Sequence, residues 1–459
     1  MSERQKFAYF KQVGIGLGAG LAVVGLVIGG SIIAGTPKNH GAAKPTQSAS
    51  AAQSATPTPE PTSTLPACSV AKAASDKKLA TLQALVVDAK TMRVLYNVDE
   101  ARASATASTM KLLTSTVAIQ QLGADYRATT RVYQDSSDAG IIYLVGGGDP
   151  TLSRTAKGKS SVYKKAPKIS DLADQIKAAV GDTAITKIVA DGSLFSGPEY
   201  LKSWETSERK IGYMSQVSAL QADGDRKNPA KETSPRSTTP ELNTGKYLRD
   251  ALGSVAADAT VETGVTPTTA TQIASVQSQP ISNWIDHMLT VSDNTQAEAL
   301  ARLIAIDLNK SGSFDSIDSA YKSVLGGLGL DVSGIKVMDG SGLSDYNAVS
   351  PQFMISLMKL LVDTNTDLKL IRKDLTVSGE TGSLAWRFNK KNKDAKGQVY
   401  AKTGWIKHGY TLVGYINAKD KSKLLFAVYA LGKVTADTPT AIDTLVTGFY
   451  RCGLALSNG

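Results

Sequence analysis

A chain of 459 residues, 42% hydrophobic and 20% charged, is long enough for two or three structural units with a sizeable core. A formal charge of +10 raises a nucleic-acid partner, but no basic run interleaved with aromatics occurs, which leaves an anionic envelope surface or simply a solvated basic face. With only two cysteines and three histidines, neither a metal site nor a Ser-His-Asp scheme competes well, and no cofactor is expected.

Arg4, Lys6 and Lys11 precede an uncharged run from Val13 to Gly35. About 23 residues at about 1.5 Å rise can cross a hydrocarbon layer about 30 Å thick. The basic flank stays inside and the remainder is sent out. Residues 1–12 therefore read as a cytoplasmic tail and 13–35 as a membrane anchor, the alternative being a cleaved signal segment, whose apolar core is ordinarily shorter. Residues 36–66, rich in Pro, Thr, Ser and Ala, bury too little apolar surface to fold and read as a linker. Cys68 follows the linker and Cys452 lies near the C-terminus; in an exported chain such an isolated pair is expected to be a disulfide.

Leu82 to Asp88 and Arg93 to Tyr96 flank Ala89-Lys90-Thr91 and read as a hairpin. An apolar helix follows, opened by Ala107-Ser108-Thr109-Met110-Lys111 and stopped at Gly123, with apolar residues on two faces, as a buried helix requires. Ser108 and Lys111 stand at i and i+3, so hydroxyl and amine share a face beside the unpaired N–H groups of the helix start. Seven other Ser-x-x-Lys spacings from Ser69/Lys72 to Ser356/Lys359 show that spacing alone means little. Arg127 to Tyr133 and Gly140 to Val145 read as strands, ending in the turn Gly146-Gly147-Gly148-Asp149-Pro150. The stretch from about Ser153 to Gln279 mixes short elements with many turn residues and reads as an inserted subdomain.

Helices are expected over Ile281 to Leu289 and Asn294 to Ile306, with Ser292-Asp293-Asn294 connecting them. Asp339-Gly340-Ser341-Gly342-Leu343-Ser344 and a helix from Pro351 to Val362 come next. Val399 to Lys402, Tyr410 to Asn417 and Leu424 to Leu431 read as strands, Lys402-Thr403-Gly404 ending the first, and Thr440 to Tyr450 closes the chain as a helix. Strands at both chain ends around a helical centre give an α/β (α+β) fold. Its catalytic part spans 67–133 and 280–459, with 134–279 inserted.

Ser-x-x-Lys opening a buried helix, Ser-Asp-Asn between helices and Lys-Thr-Gly on a strand form, in this order, the motif set of penicillin-binding proteins and class A β-lactamases. Together with Leu144 to Leu152, Asp191 to Pro198 and Asp339 to Ser344, they make the folded part resemble the class C low-molecular-mass penicillin-binding proteins, which are D-alanyl-D-alanine carboxypeptidases and endopeptidases. The resemblance implies a penicillin-binding-protein/β-lactamase-like transpeptidase fold with an insert between the first two motifs. It implies peptidoglycan stem peptides ending in D-Ala-D-Ala as substrates and β-lactams as acylating inhibitors. It further implies that Ser108 is the nucleophile, that Lys111 activates it, that Ser292 relays a proton, that Asn294 holds the substrate amide, and that Lys402 and Thr403 anchor the carboxylate. The N–H groups of Ser108 and Trp405 would form the oxyanion hole. Gly404 is read as letting a substrate backbone approach, and Lys402 as a second ammonium that disfavours charge on Lys111. Two departures stand out: Thr106 replaces the usual Pro before Ala-Ser, and Trp405 replaces the usual hydroxyl residue after Lys-Thr-Gly. The rival readings are a non-catalytic scaffold or sensor of the same fold and a serine β-lactamase.

Overall fold

The computed structural model describes residues 67–458. The expected tail, anchor and linker lie outside the described residues. Among the described residues no helix is long and apolar enough to cross a membrane.

Two sheets organise these residues. The first, in the order β3-β2-β12-β11-β10-β9, combines β2 (Thr81–Asp88) and β3 (Val94–Val98) with β9 (Thr376–Val377), β10 (Val399–Ile406), β11 (Gly409–Asn417) and β12 (Lys423–Leu431). Every pairing in it is antiparallel, so both chain ends do build one sheet. Its strands alternate faces in period two. Leu85 and Val87, Leu425 and Ala427 point to a helical core, while Ala84, Val86, Leu424 and Phe426 point to the other side, where helix α8 (Thr438–Cys452) lays Ile442, Leu445 and Phe449 on them.

The helical core surrounds α1 (Met110–Leu122), in which every residue from Met110 to Ile119 is buried. A helix enclosed on all sides has no polar stripe to spare, which is why its apolar residues occupy two faces. Helices α4 (Ile281–Val291), α5 (Asn294–Asp307), α6 (Phe314–Gly327) and α7 (Pro351–Asp363) complete that core. At the other end of the chain Cys68 and Cys452 are joined in a disulfide with Cα atoms 5.4 Å apart. Beside it β1 (Cys68–Ser69) pairs in parallel with β13 (Leu456–Ser457).

The second sheet has the order β7-β6-β5-β4-β8: β4 (Thr129–Gln134), β5 (Ile141–Val145), β6 (Lys187–Asp191), β7 (Thr260–Thr263) and β8 (Thr271–Gln277). Helices α2 (Ile169–Val180) and α3 (Pro240–Leu252) cover it through Leu172, Ile176, Leu248 and Leu252. The expected boundary at residue 134 cuts through β4. Because β4 is hydrogen-bonded to β5 and β8 and to no strand of the first sheet, the division falls before Thr129.

Candidate active site

Ser108 lies in a single 3-10 turn, Ala107–Thr109, immediately ahead of α1. Ala107 has φ 47°, a left-handed conformation that a side chain disfavours and that surrounding contacts must hold. One of those contacts is Gly404. A Cβ there would stand 2.9 Å from Ala107 Cβ and 3.0 Å from Ser108 N, and would run into the Thr411 hydroxyl, which itself donates to Thr106 O at 2.7 Å. The glycine thus seats the strand against the Ser108 turn, a role not read from sequence.

The Ser-Asp-Asn turn is made by helix ends. Ser292 caps α4 with φ 66°, and Asp293 is the N-cap of α5, accepting Gln296 N at 3.0 Å. Asn294 is then the first residue of α5 and turns inward. Its Oδ1 accepts Lys111 Nζ at 2.7 Å, and its Nδ2 donates to Tyr213 O at 3.1 Å.

Lys111 is fully buried and its amine has three partners: Ser108 Oγ at 2.8 Å, Asn294 Oδ1, and Ser341 O at 2.8 Å. Across the cleft Lys402, also fully buried, donates to Ser292 Oγ at 2.9 Å and to Thr403 O at 2.8 Å. Two Ser–Lys pairs therefore meet in one site, one from each half of the catalytic sequence. Lys-Thr-Gly lies within β10, which runs on to Ile406, instead of ending it. Strand β9 pairs only with Tyr400 and Ala401, so the ladder on that side stops before Lys402. Thr403 Oγ1 donates to Ser383 Oγ at 2.7 Å.

Burial lowers Lys111 to about 8, against the opposing pull of Glu298, Asp339 and Asp293. Lys402 falls well below its ordinary value, first through burial and then through Lys111. The repulsion expected to act on Lys111 thus falls on Lys402, because the buried acids stand near Lys111. A lysine that loses its proton in this range is a usable base at neutral pH.

An open cleft of about 610 Å³ runs past Ser108, Ser292, Asn294, Leu343 and Trp405, and its other wall comes from the insert: Glu208, Gly212, Tyr213, Arg226, Glu232, Thr233 and Arg236. The insert also clamps the Ser-Asp-Asn turn. Arg226 Nη2 meets Asp293 Oδ2 at 2.7 Å, and Tyr163 OH donates to the same oxygen at 3.0 Å. His287, on α4 ahead of the turn, is hydrogen-bonded to Gln296 at 2.8 Å and Glu232 at 3.1 Å. Sequence reasoning missed Ser341, Tyr213 and Arg226. The first two act through backbone carbonyls, which leave no residue-type signal; Arg226 falls within the stretch read only as an inserted subdomain.

A serine at the head of a buried helix, a lysine within a hydrogen bond of it, and a second Ser–Lys pair across the cleft are the arrangement of an acyl-serine enzyme of the penicillin-binding-protein type. The profile of the D-Ala-D-Ala carboxypeptidase 3 (S13) family matches residues 67–233 and 225–449. Carboxypeptidase DacB of Mycolicibacterium smegmatis is 32% identical over 391 residues, 84% of each chain. A carboxypeptidase of Mycobacterium tuberculosis is likewise 32% identical over 389 residues, 84% of this chain and 83% of its own. Penicillin binding protein 4 from Haemophilus influenzae shares the fold, with a TM-score of 0.69 at 18% identity, covering 81% of this chain and 95% of that one. The chain belongs to the D-Ala-D-Ala carboxypeptidase 3 (S13) family.

Proposed function

We propose that this serine-type D-Ala-D-Ala carboxypeptidase and/or endopeptidase cleaves peptidoglycan stem peptides through an acyl-enzyme on Ser108. The observation that carries the reading is the three-way contact of Lys111 with Ser108, Asn294 and Ser341, which holds a buried amine 2.8 Å from the hydroxyl. A neutral amine in that position takes the hydroxyl proton as Ser108 Oγ attacks the carbonyl carbon between the two D-alanines. The N–H groups of Ser108 and Trp405 receive the oxyanion, a contribution of about 3–4 kcal/mol where single donors have been removed elsewhere. Collapse breaks the C–N bond, and the proton held by Lys111 passes through Ser292 to the departing amine. Water then attacks the ester with Lys111 again as base, returning Ser108 as the alcohol and releasing the shortened peptide.

Lys402 and Thr403 are suited to the terminal carboxylate, which adds an anionic partner to the two neutral acceptors of the buried Lys402 amine. A β-lactam enters by the same attack, and its ring-opened remnant stays in place of the leaving amine. The Pro/Thr/Ser-rich stretch and the apolar run before it support an enzyme held on the outer face of the membrane by residues 13–35, where an oxidising compartment suits the Cys68–Cys452 disulfide.

The test is labelling with fluorescent penicillin followed by denaturing electrophoresis. A persistent label that is lost in Ser108→Ala supports the acyl-enzyme, and its absence from the unaltered protein contradicts it. Release of D-alanine from a pentapeptide, compared with cleavage of a cross-linked dimer, measures the two activities separately.

A further inference from the structure

Behind Lys111 lies a carboxyl group that the proposed chemistry does not use. Glu298 stands one turn after Asn294 on α5, so both project from one helix face, and it is wholly shut off from solvent. Oε1 accepts Ser341 N at 2.8 Å and Oε2 accepts Gly340 N at 3.1 Å. The carbonyl of the same Ser341 is the third acceptor of the Lys111 amine, and Gly340 O is held by the Thr114 hydroxyl from α1. One short segment therefore joins carboxyl and amine.

The charged and titratable groups around this pair come from each element packed on it. Arg302 lies one turn further along α5, Tyr321 comes from α6, Asp339 from the loop, Asp293 from the helix cap, and Lys402 from beyond Lys111. Asp339 is saturated by four donors: the Trp204 indole, Gly342 N, Ser344 N and the Asn347 amide. Glu298 is met by the two backbone amides and by the Ser341 side chain, all from the segment that also holds the Lys111 amine.

We propose that Glu298 is a positioning residue for acylation: through Gly340 and Ser341 it aims the Lys111 amine at Ser108, and its charge sets the pH at which that amine becomes a base. This rests on Lys111 being the base. Burial and then Asp339 push Glu298 up to about 8, the value to which burial lowers Lys111. Ionisation of either group therefore acts on the other. As pH rises, ionising Glu298 strengthens the hold of Lys111 on its proton, which broadens the titration of the amine.

The test is the second-order rate of acylation by fluorescent penicillin, measured on the full chain from about pH 5 to about pH 9. The wild-type acid limb is expected to be shallower than a one-proton curve. In Glu298→Gln it moves to lower pH by about half a unit to one unit and steepens to one-proton slope. In Thr114→Val, which loosens the same segment without altering charge, the plateau falls and the limb stays. A Glu298→Gln limb that does not move, or moves no more than that of Thr114→Val, overturns the proposal. Should Glu298→Gln fail to fold, Glu298→Asp decides: withdrawing the charge by one methylene lowers the plateau at least about threefold, and an unchanged plateau overturns the idea. A Lys111→Ala variant that keeps the wild-type rate and limb instead defeats the assignment of the base, and is thereby distinguished from failure of the Glu298 argument alone.

Discussion

Replacing Arg226 by Met tests whether the insert holds the Ser-Asp-Asn turn. Met approaches the length of Arg without its charge, so packing on Tyr163 survives while the 2.7 Å pair with Asp293 is lost. Both side chains are 2% exposed, so Asp293 is left out of water with only Tyr163 and the Gln296 amide as donors. Removing one half of such a pair costs about 3–5 kcal/mol. That is a large part of the roughly 5–15 kcal/mol that keeps a domain folded.

The dependence on pH supplies a sign. Burial raises the Asp293 carboxyl, but Arg226, His287 and Arg236 overcome burial and hold it below the usual carboxylate range. A group depressed in this way contributes stability above its unfolded pKa and loses it only as pH falls through the folded value. In the variant burial prevails, the folded pKa lies above the unfolded one, and the penalty of the charged form vanishes as pH falls through that raised value. The stability gap between wild type and Arg226→Met is therefore widest near about pH 7 and narrows toward about pH 4.5. Urea unfolding followed by tryptophan fluorescence at both values measures it. A gap that is equal at the two, or below about 1 kcal/mol at neutral pH, refutes the reasoning.

Gly404→Ala places a methyl group 2.9 Å from Ala107 Cβ and 3.0 Å from Ser108 N, so the strand must back away from the nucleophile. Acylation should slow by about 10²-fold while the fold loses only about 1–3 kcal/mol, and a rate within threefold of wild type counts against the seating role. Exchanging Cys68 and Cys452 together for Ser opens a link across 384 residues of sequence and should cost about 2–5 kcal/mol; an unchanged unfolding midpoint would contradict it. Trp405→Thr restores a hydroxyl beside the expected carboxylate site. KM for a D-Ala-D-Ala peptide should drop by about tenfold, the worth of one hydrogen bond to a charged group, and an unmoved KM would show that Thr403 with Ser383 already suffices.

The catalytic elements were legible because each carries a local signal. Gly123 stops α1, Asp293 caps α5, and near-continuous apolar runs mark β11 and β12, which are buried on both faces. The boundary of the insert was not, since β4 alternates like any strand and only its partners reveal which sheet it joins. The four principal side chains were visible as motifs, yet their electrostatics were not. From sequence the crowding by Lys402 is expected to act on Lys111, whereas Glu298 and Asp339, which counter it there, are brought to Lys111 by a helix turn and a distant loop. The same limit applies to Ser341 and Tyr213, whose contribution is a carbonyl oxygen.

In the proposed mechanism the Lys111 amine removes the proton from Ser108 as the ester forms. Timed intact-mass measurement of penicillin adducts at about pH 8, with the modified peptide mapped, tests it directly in wild type and Lys111→Ala. One adduct on the Ser108 peptide, forming about 10²- to 10⁴-fold more slowly without the amine, is the predicted result. An adduct on another residue, or an undiminished rate in the variant, would contradict it.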